Sequence, residues 1–270
     1  MRVQLLPSNL SDPGRLQPTT TFLVDDTLAI DGGSLGYALN TRDQLRVRRV
    51  IVTHSHNDHI ASLPIFVAEV FPFIDQPIEV YGTREVLESL REHVFNDVIW
   101  PDFHVIALAG GNGTGLRYVE IKVGVPFRID HLRITPVRAN HVVPTVGLVV
   151  ESDDAGVAFT SDTYHTDEIW ELANRLERLQ AVFADVSYPN EMEALASVSK
   201  HLTPQSLLKE LAKLRRPAQV LAFHLKPQFR DRVIEQLKRL GRPDVSVAEI
   251  GREYSFGDGR TEATRSSIPR

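Results

Sequence analysis

Residues 49–60 read RVIVTHSHNDHI. An apolar, β-branched run ends here in four metal-ligand side chains, His54, His56, Asp58 and His59. Imidazole nitrogens suit zinc and related ions, and a carboxylate suits both these ions and harder ones. In an extended segment His54 and His56 project to the same side, while Asp58 and His59 lie past them. The pattern therefore favours two adjacent metal ions over one.

Short apolar runs separated by turn residues continue on both sides of this stretch. Hydrophobic periodicity predicts strands at 3–6, 21–24, 28–30, 46–53, 118–123, 127–137, 147–151, 156–160 and 219–223. It predicts helices at 59–70, 83–95, 166–179, 204–214 and 227–240. Strands in both halves with helices between them indicate an α/β fold of two sheets flanked by helices.

The domain organisation follows from what separates these elements. No Ser/Gly-rich linker and no internal repeat is visible, so residues 1–257 are predicted to form a single domain. Residues 71–116 interrupt the strand pattern and are interpreted as an inserted segment near the active site. The polar residues 258–270 are predicted to be a disordered tail.

Composition narrows the classes of function. The chain has 270 residues, ten histidines, no cysteine and a net charge of -5. Without cysteine there is no disulfide, no thiolate nucleophile and no cysteine-ligated metal, so any metal must be held by His, Asp or Glu. No uninterrupted apolar run reaches 18 residues, and the first residues lack a basic and apolar leader, so we expect a cytoplasmic protein that does not interact with membranes. The negative charge argues against a broad nucleic-acid surface.

The spacing His-x-His-x-Asp-His at positions 54–59 resembles the signature of the metallo-β-lactamase superfamily of two-metal hydrolases. This resemblance implies an αββα four-layer sandwich of two mixed β-sheets flanked by helices. It also implies further ligands at later strand ends, and His141, Asp162 and His224 occur in the expected order. The β-lactamases of the commonest subclass carry a cysteine where Asp162 stands, so that branch is excluded for a chain without cysteine.

The resemblance implies a complete ligand assignment for two divalent ions. One ion is expected on His54, His56 and His141. The other is expected on Asp58, His59 and His224, with Asp162 bridging the two. Zinc is the first choice, and manganese or iron are alternatives, because nitrogen and oxygen ligands accept all three.

Three later stretches resemble the class II 3′,5′-cyclic-nucleotide phosphodiesterases within this superfamily. They are residues 185–190, DVSYPN, residues 197–204, SVSKHLTP, and residues 95–101, FNDVIWP. Lys200 stands where that class has a glycine. The resemblance implies hydrolysis of cyclic AMP or cyclic GMP to the nucleoside 5′-monophosphate by attack of a metal-bridged hydroxide. It makes a small-molecule cyclic nucleotide the expected partner, and family habit adds a homodimer.

Catalytic roles follow from the related transfer-RNA 3′-processing endonucleases, which use a histidine supported by an acidic residue. By this resemblance His201 is the general acid that protonates the leaving oxygen, Asp185 orients it, and Asp58 accepts a proton from the attacking water. His201 could instead only cap the helix that begins at Pro204, although Thr203 already fits the capping position.

The nucleobase pocket has two candidates. The indole of Trp100 can stack on a purine, and the amide of Asn96 can bond the edge of a base. Core packing is the alternative for Trp100.

Other functions stay open on the same fold. A transfer-RNA 3′-processing endonuclease is one, although no long basic arm is visible. A thioesterase or lactonase is another, since metal ligands alone do not name a substrate. A non-catalytic metal-binding sensor is the third.

Overall fold

The computed structural model describes residues 1–8, 12, 16–257 and 263–265. The chain divides into two compact units, each organised around one of two β-sheets. The first unit is built mainly from residues 2–121 and 250–254, and the second mainly from residues 122–249.

Strands in the described residues run, in chain order, as β1 Arg2–Leu5, β2 Phe22–Val24, β3 Leu28–Ile30, β4 Arg49–Ile51, β5 Ile78–Gly82, β6 Leu116–Glu120, β7 Phe127–Ile129, β8 Leu132–Arg138, β9 Val146–Glu151, β10 Gly156–Phe159, β11 Leu179–Asp185, β12 Gln219–Phe223, β13 Val245–Val247, β14 Arg252–Ser255 and β15 Ala263–Arg265.

Helices in the same part of the chain are α1 Leu35–Ala38, α2 Thr41–Gln44, α3 Asn57–Ile60, α4 Leu63–Val70, α5 Arg84–His93, α6 Glu168–Arg175, α7 Glu193–Ser199, α8 Pro204–Leu211 and α9 Arg230–Arg239. Short 3-10 turns lie at Phe71–Phe73, Asn190–Met192 and Pro227–Phe229. None of these helices is long and apolar enough to cross a membrane.

The first sheet has the strand order β15-β14-β1-β2-β3-β4-β5-β6. Pairing is antiparallel from β1 to β3 and parallel from β3 to β6, so the sheet is mixed. Helices α4 and α5 bury one face each against its apolar side chains; Val86, Leu87 and Leu90 of α5 form the face that the sequence predicts. The burial of this cluster is the main stabilising contribution within the unit.

The second sheet has the order β13-β12-β11-β10-β9-β8-β7. Strands β7 to β10 pair antiparallel, and β10 to β13 pair parallel. Helices α6, α8 and α9 cover apolar residues of this sheet, among them Val182, Val220 and Ala222. Thr203 caps α8, as predicted, because its hydroxyl accepts a hydrogen bond from the backbone N–H of Ser206.

Four strands that precede residue 258 were not predicted from the sequence: β5, β11, β13 and β14. Strand β5 lies inside residues 71–116, so this segment is not only an insertion: Ile78–Gly82 is a central strand, paired with β4 and β6. Strand β11 begins at Leu179, where the sequence predicted the end of a helix that instead stops at Arg175. Strands β5 and β11 have only five and seven residues, and periodicity does not reliably separate strand from helix in runs this short.

Other boundaries differ locally. The predicted strand 127–137 is a hairpin, because Asp130 adopts a left-handed φ of 51° and allows a tight turn between β7 and β8. Within the predicted tail 258–270, Ala263–Arg265 forms edge strand β15, and the other residues of that tail lie outside the described part of the chain.

Candidate active site

Two adjacent parallel strands of the first unit place polar residues at one edge of the sheet. Strand β3 ends at Ile30 and is followed by Asp31, and β4 ends at Ile51 shortly before Thr53 and His54. Parallel pairing aligns Ile30 with Ile51. The carboxyl ends of the two strands therefore lie side by side. Asp31 is thus close to the start of the predicted ligand motif.

The histidines of the motif lie close together within this unit. The ring centroids of His54 and His56 are 4.8 Å apart, and those of His54 and His59 are 4.1 Å apart. His54 and His59 are fully buried. Helix α3 carries Asp58 and His59 and begins directly after His56, so the four residues follow one another in the turn after β4.

Asp31 and Thr53 hold the outer nitrogens of two of these rings. Asp31 accepts hydrogen bonds from the backbone N–H of Thr53 at 2.8 Å and from the Thr53 hydroxyl at 3.0 Å. Its other oxygen lies 2.7 Å from Nδ1 of His59. Since the Thr53 hydroxyl donates to Asp31, it accepts from Nδ1 of His54 at 3.0 Å. Each ring thus turns Nε2 away from its protein acceptor.

Gly33 allows the backbone of the metal-ligand motif to lie close to the segment that precedes β2. A Cβ at this position would lie 2.1 Å from the carbonyl oxygen of Asp58 and 2.7 Å from that of Thr20. The backbone N–H of Thr20 donates to the same Asp58 carbonyl at 2.8 Å. No side chain fits between these backbone segments.

In the second unit, three parallel strands deliver the other candidate residues. Strand β11 lies between β10 and β12 and pairs parallel with both. Asp162 follows β10, Asp185 ends β11, and His224 follows β12 directly. Ser161 and His224 adopt left-handed φ values of 55° and 63°, which turn the chain sharply after each strand.

Two predicted ligands converge on one carboxylate oxygen of Asp162. Its Oδ2 lies 3.5 Å from Nε2 of His224 and 4.0 Å from Nε2 of His141. Nδ1 of His141 donates to the carbonyl oxygen of Lys200 at 3.2 Å. Burial lowers the pKa of His141 to about 4, so its imidazole is neutral near pH 7, which is the form that binds a metal. The bridging role of Asp162 stays a prediction.

Asp185 and His201 form a hydrogen-bonded pair beside Asp162. Nδ1 of His201 lies 2.8 Å from Oδ2 of Asp185 and 4.0 Å from Oδ2 of Asp162. Burial alone would raise the pKa of Asp185, but the charge and the hydrogen bond of His201 hold it below its usual range. The ionised carboxylate of Asp185 therefore holds the ring of His201 through Nδ1.

The chemistry of the donors fits divalent metal ions. They are histidine nitrogens and carboxylate oxygens only, and three of the histidines have Nδ1 bonded to a protein acceptor: Thr53 for His54, Asp31 for His59 and Lys200 for His141. Such outer partners orient metal-binding histidines and fix their tautomer. Zinc, manganese and iron all accept this donor set.

The two candidates for the nucleobase pocket have local structural roles. The side-chain oxygen of Asn96 accepts from the backbone N–H groups of Val98 and Ile99, and its amide donates to the carbonyl of Glu92. Trp100 is half-buried against the core of the first unit. Asn96 therefore shapes the loop that carries Trp100, and contact of either with a base stays a prediction.

Sequence reasoning gave no role to the groups that orient the histidines. Asp31 comes directly after strand β3, and this position at a strand end is the one signal in the sequence that could have indicated it. Ser187 lies within the quoted stretch DVSYPN, and Lys200 acts through its backbone carbonyl, which no residue type reveals.

Comparison with known proteins gives one family match. The family model described as a beta-lactamase superfamily domain matches residues 32–225, which is more than half of the chain.

Individual proteins show two kinds of activity among the relatives. A probable 3′,5′-cyclic-nucleotide phosphodiesterase of Yersinia pestis is 26% identical over 209 residues, covering 68% of this chain and 58% of that protein. A ribonuclease Z of Anoxybacillus flavithermus is 26% identical over 257 residues, covering 78% of this chain and 80% of that protein. Unliganded yeast PDE1 superposes with a TM-score of 0.73 at 15% identity, covering 93% and 98% of the two chains, and so shares the fold.

Proposed function

We propose, from the premise that this chain belongs to the beta-lactamase superfamily, that it is a two-metal phosphodiesterase acting on 3′,5′-cyclic nucleotides. The observation that carries the proposal is the pairing of Asp185 with His201 next to Asp162. Metal ligands alone suit many hydrolases, but a buried acid–histidine pair beside them supplies a proton donor. A poor leaving group such as a ribose 3′-oxygen needs that proton.

The metal ligands of the proposal are those implied by the sequence resemblance. One ion is assigned to His54, His56 and His141, and the second to Asp58, His59 and His224, with Asp162 shared. The hydrogen bonds to Nδ1 of His54, His59 and His141 support this assignment, because they present Nε2 as the ligand atom.

Two residues of the chain carry out the two proton transfers of the proposed reaction. When bound, two divalent ions would lower the pKa of a water and stabilise charge on the phosphoryl oxygens. As the oxygen of the attacking water bonds to phosphorus, Asp58 accepts a proton from that water. The bond from phosphorus to the ribose 3′-oxygen breaks, and His201 donates its proton to that oxygen. The product is the nucleoside 5′-monophosphate, and Asp185 keeps His201 oriented through Nδ1.

The choice of a cyclic nucleotide rests on the resemblance of residues 95–101, 185–190 and 197–204 and on the Yersinia relative. The net charge of -5 supports a small substrate over a polyanion. Because the chain spans 58% of that relative's length, the relative's own substrate transfers only as a proposal.

A second candidate is ribonuclease activity at the 3′ end of RNA. One observation favours it: the chain covers 80% of the ribonuclease Z from Anoxybacillus, a larger share than of the phosphodiesterase. Both candidates use the same bond chemistry and the same proton donor, so only the substrate separates them.

A substrate panel tests the proposal. The zinc-loaded and manganese-loaded protein is assayed with cyclic AMP, cyclic GMP, a generic phosphodiester, a thioester and a transfer-RNA precursor, and its metal content is measured in parallel. We expect two metal ions per chain and 5′-monophosphate as the product of the cyclic nucleotides. Cleavage of the precursor alone supports the ribonuclease, turnover of the thioester alone contradicts both, and metal binding without any turnover supports a sensor.

The cytoplasmic location and the homodimer stay predictions from the sequence. Cell fractionation tests the first, and sedimentation of the metal-loaded protein tests the second.

A further inference from the structure

A single buried hydroxyl lies between the proposed proton donor and a proposed metal ligand. Ser187 is fully buried, and its Oγ lies 2.7 Å from Oδ1 of Asp185, 2.8 Å from Nδ1 of His224 and 3.2 Å from Nδ1 of His201. It also lies 3.1 Å from the carbonyl oxygen of His224. No function is assigned to this residue by the ligand set or by the proton-transfer scheme.

The backbone holds Ser187 rigidly in place. Its N–H donates to the carbonyl of Leu202 at 2.9 Å, and its carbonyl accepts from the N–H of Lys226 at 3.3 Å. The serine is therefore fixed between the segment that carries His201 and the segment that carries His224. A side chain held on both sides can impose a geometry on its neighbours.

Counting protons leaves one consistent arrangement around the hydroxyl. A hydroxyl donates one hydrogen bond, and the ionised Asp185 only accepts, so the 2.7 Å contact uses the serine proton. The proton on Nδ1 of His201 points to Oδ2 of Asp185 at 2.8 Å, the shorter of its two contacts. Nδ1 of His224 then donates to a lone pair of Ser187 at 2.8 Å. His224 consequently carries its proton on Nδ1 and presents Nε2.

We propose that Ser187 is a positioning residue that selects the Nδ1–H tautomer of His224 and locks the carboxylate of Asp185 toward His201. Nε2 of His224, which lies 3.5 Å from Oδ2 of Asp162, is thereby made a metal ligand. Through one hydroxyl, the same carboxylate supports both the proton donor and the ligand. The catalytic role of Ser187 rests on the proposed function. The tautomer of His224 and its effect on metal affinity can be measured without any activity.

The first test uses the wild-type protein without metal. Ring nitrogens are labelled with 15N, and His224 is assigned from the signal that disappears in His224→Gln. We expect His224 to carry its proton on Nδ1. A predominant Nε2–H tautomer in the wild type overturns the inference, whatever the variants do.

The second test compares Ser187→Ala with Ser187→Thr. Alanine removes the acceptor, so we expect a mixture of His224 tautomers and zinc affinity lower by about 10- to 100-fold, measured against a competing chelator. Threonine keeps a hydroxyl, so we expect it to restore both readouts at least in part. Wild-type tautomer and wild-type zinc affinity in Ser187→Ala overturn the inference.

Ser206→Ala is the matched control. Ser206 is also a buried serine of the second unit, but it belongs to the cap of α8 and contacts Thr203 instead of a proposed ligand. We expect this variant to lower stability while leaving the His224 tautomer and the zinc affinity unchanged. Loss of zinc affinity in Ser206→Ala as large as in Ser187→Ala would show that loss of stability alone explains the effect, and overturns the inference.

The outcomes separate the two proposals. If the tautomer and affinity results hold while the wild type hydrolyses no phosphodiester, only the proposed function fails. If cyclic nucleotides are hydrolysed while Ser187→Ala behaves as wild type in both readouts, only the role of Ser187 fails.

Discussion

The histidines of the site differ in the groups that hold their outer nitrogens. A hydroxyl holds Nδ1 of His54 and a backbone carbonyl holds that of His141, and neutral acceptors suit rings that must stay neutral to bind a metal. A carboxylate that also bonds a serine holds Nδ1 of His201. His59, a proposed ligand, also has its Nδ1 on a carboxylate, that of Asp31. The acceptor of Nδ1 alone therefore does not separate the proposed acid from the proposed ligands, and the distinction rests on function.

Replacement of His201 tests this distinction. In His201→Ala we expect turnover of cyclic AMP to fall by about 10²- to 10⁴-fold, the usual contribution of a general acid, with metal content unchanged. The loss should be much smaller for a p-nitrophenyl phosphodiester, whose leaving group needs no proton. Steady-state kinetics on both substrates, with metal analysis of each preparation, make the measurement.

His93→Ala is the control, because His93 is exposed at the end of α5 and its ion pair is with the neighbouring, equally exposed Glu92. We expect wild-type kinetics from it. An equal loss on both substrates in His201→Ala, or full activity on cyclic AMP, contradicts the assignment of His201.

At the level of elements, the ends of parallel strands carry the site, and several of them turn through left-handed backbone. Asp31, Ser161 and His224 follow β3, β10 and β12 with positive φ. A left-handed residue other than glycine costs roughly 1–2 kcal/mol. The turns persist because hydrogen bonds and packing around them determine the conformation. The strand ends therefore carry both strain and chemistry.

Gly33→Ala should disrupt the turn that follows β3 and lies against the backbone of the metal-ligand motif. The added Cβ meets backbone oxygens of Asp58 and Thr20, which cannot move aside as a flexible side chain does. We expect the free energy of unfolding to fall by about 3 kcal/mol or more, together with a loss of metal affinity. Denaturant unfolding of the apo protein and a zinc titration measure the two effects.

Gly110→Ala is the matched control, since nothing lies within 4 Å of a Cβ there. We expect a change within about 0.5 kcal/mol. If the two alanine variants are equally stable, the close approach at Gly33 has no energetic weight.

Lys200→Gly should stabilise the protein. Lys200 ends α7 with φ 61° and ψ 50°, the left-handed position that glycine favours, and the related phosphodiesterases carry glycine there. Relief of strain outweighs the loss of the contact between its ammonium and the ring of Tyr164, so we expect a gain of about 0.5–1 kcal/mol. Denaturant unfolding gives the value.

The same substitution at Lys209 has the opposite sign. Lys209 lies in the last turn of α8 with ordinary helical backbone, so Lys209→Gly should cost about 1 kcal/mol. A destabilised Lys200→Gly variant would show that Tyr164 contributes more than the backbone strain.

At the scale of the whole molecule, each unit carries part of the proposed ligand set. The first unit carries His54, His56, Asp58 and His59, and the second carries His141, Asp162 and His224. Ions that bind only the folded state stabilise it by an amount that grows with the concentration of free metal. Metal loading should therefore affect stability as well as activity.

Removal of metal tests this expectation. Chelation should lower the melting temperature, and zinc at about 100 times its Kd should restore about 2.7 kcal/mol of stability. Differential scanning calorimetry with and without chelator gives the shift, and it should vanish in the double variant His54→Ala, His224→Ala. A wild-type melting temperature that ignores both chelator and zinc contradicts the two-metal proposal.

The sequence by itself determined the features that lie within a few residues of each other. Positions 54–59 hold four ligand-type side chains, and Thr203 with Ser206 caps α8. Both features depend only on local backbone geometry. Apolar periodicity likewise predicted most strands and the buried face of α5. The resemblance added Asp162, Asp185 and His224, whose positions at strand ends the structure shows.

Only the tertiary structure decided which groups serve those residues. Asp31 reaches His59 across 28 positions, and Lys200 reaches His141 across 59. Ser187 joins Asp185 to His224, 37 positions further along the chain. Strands β5 and β11 belong to this class too, because a run this short becomes a strand when a neighbouring strand satisfies its backbone groups. Parallel pairing aligns strand ends that are far apart in sequence, and that alignment brings the partners within hydrogen-bond distance.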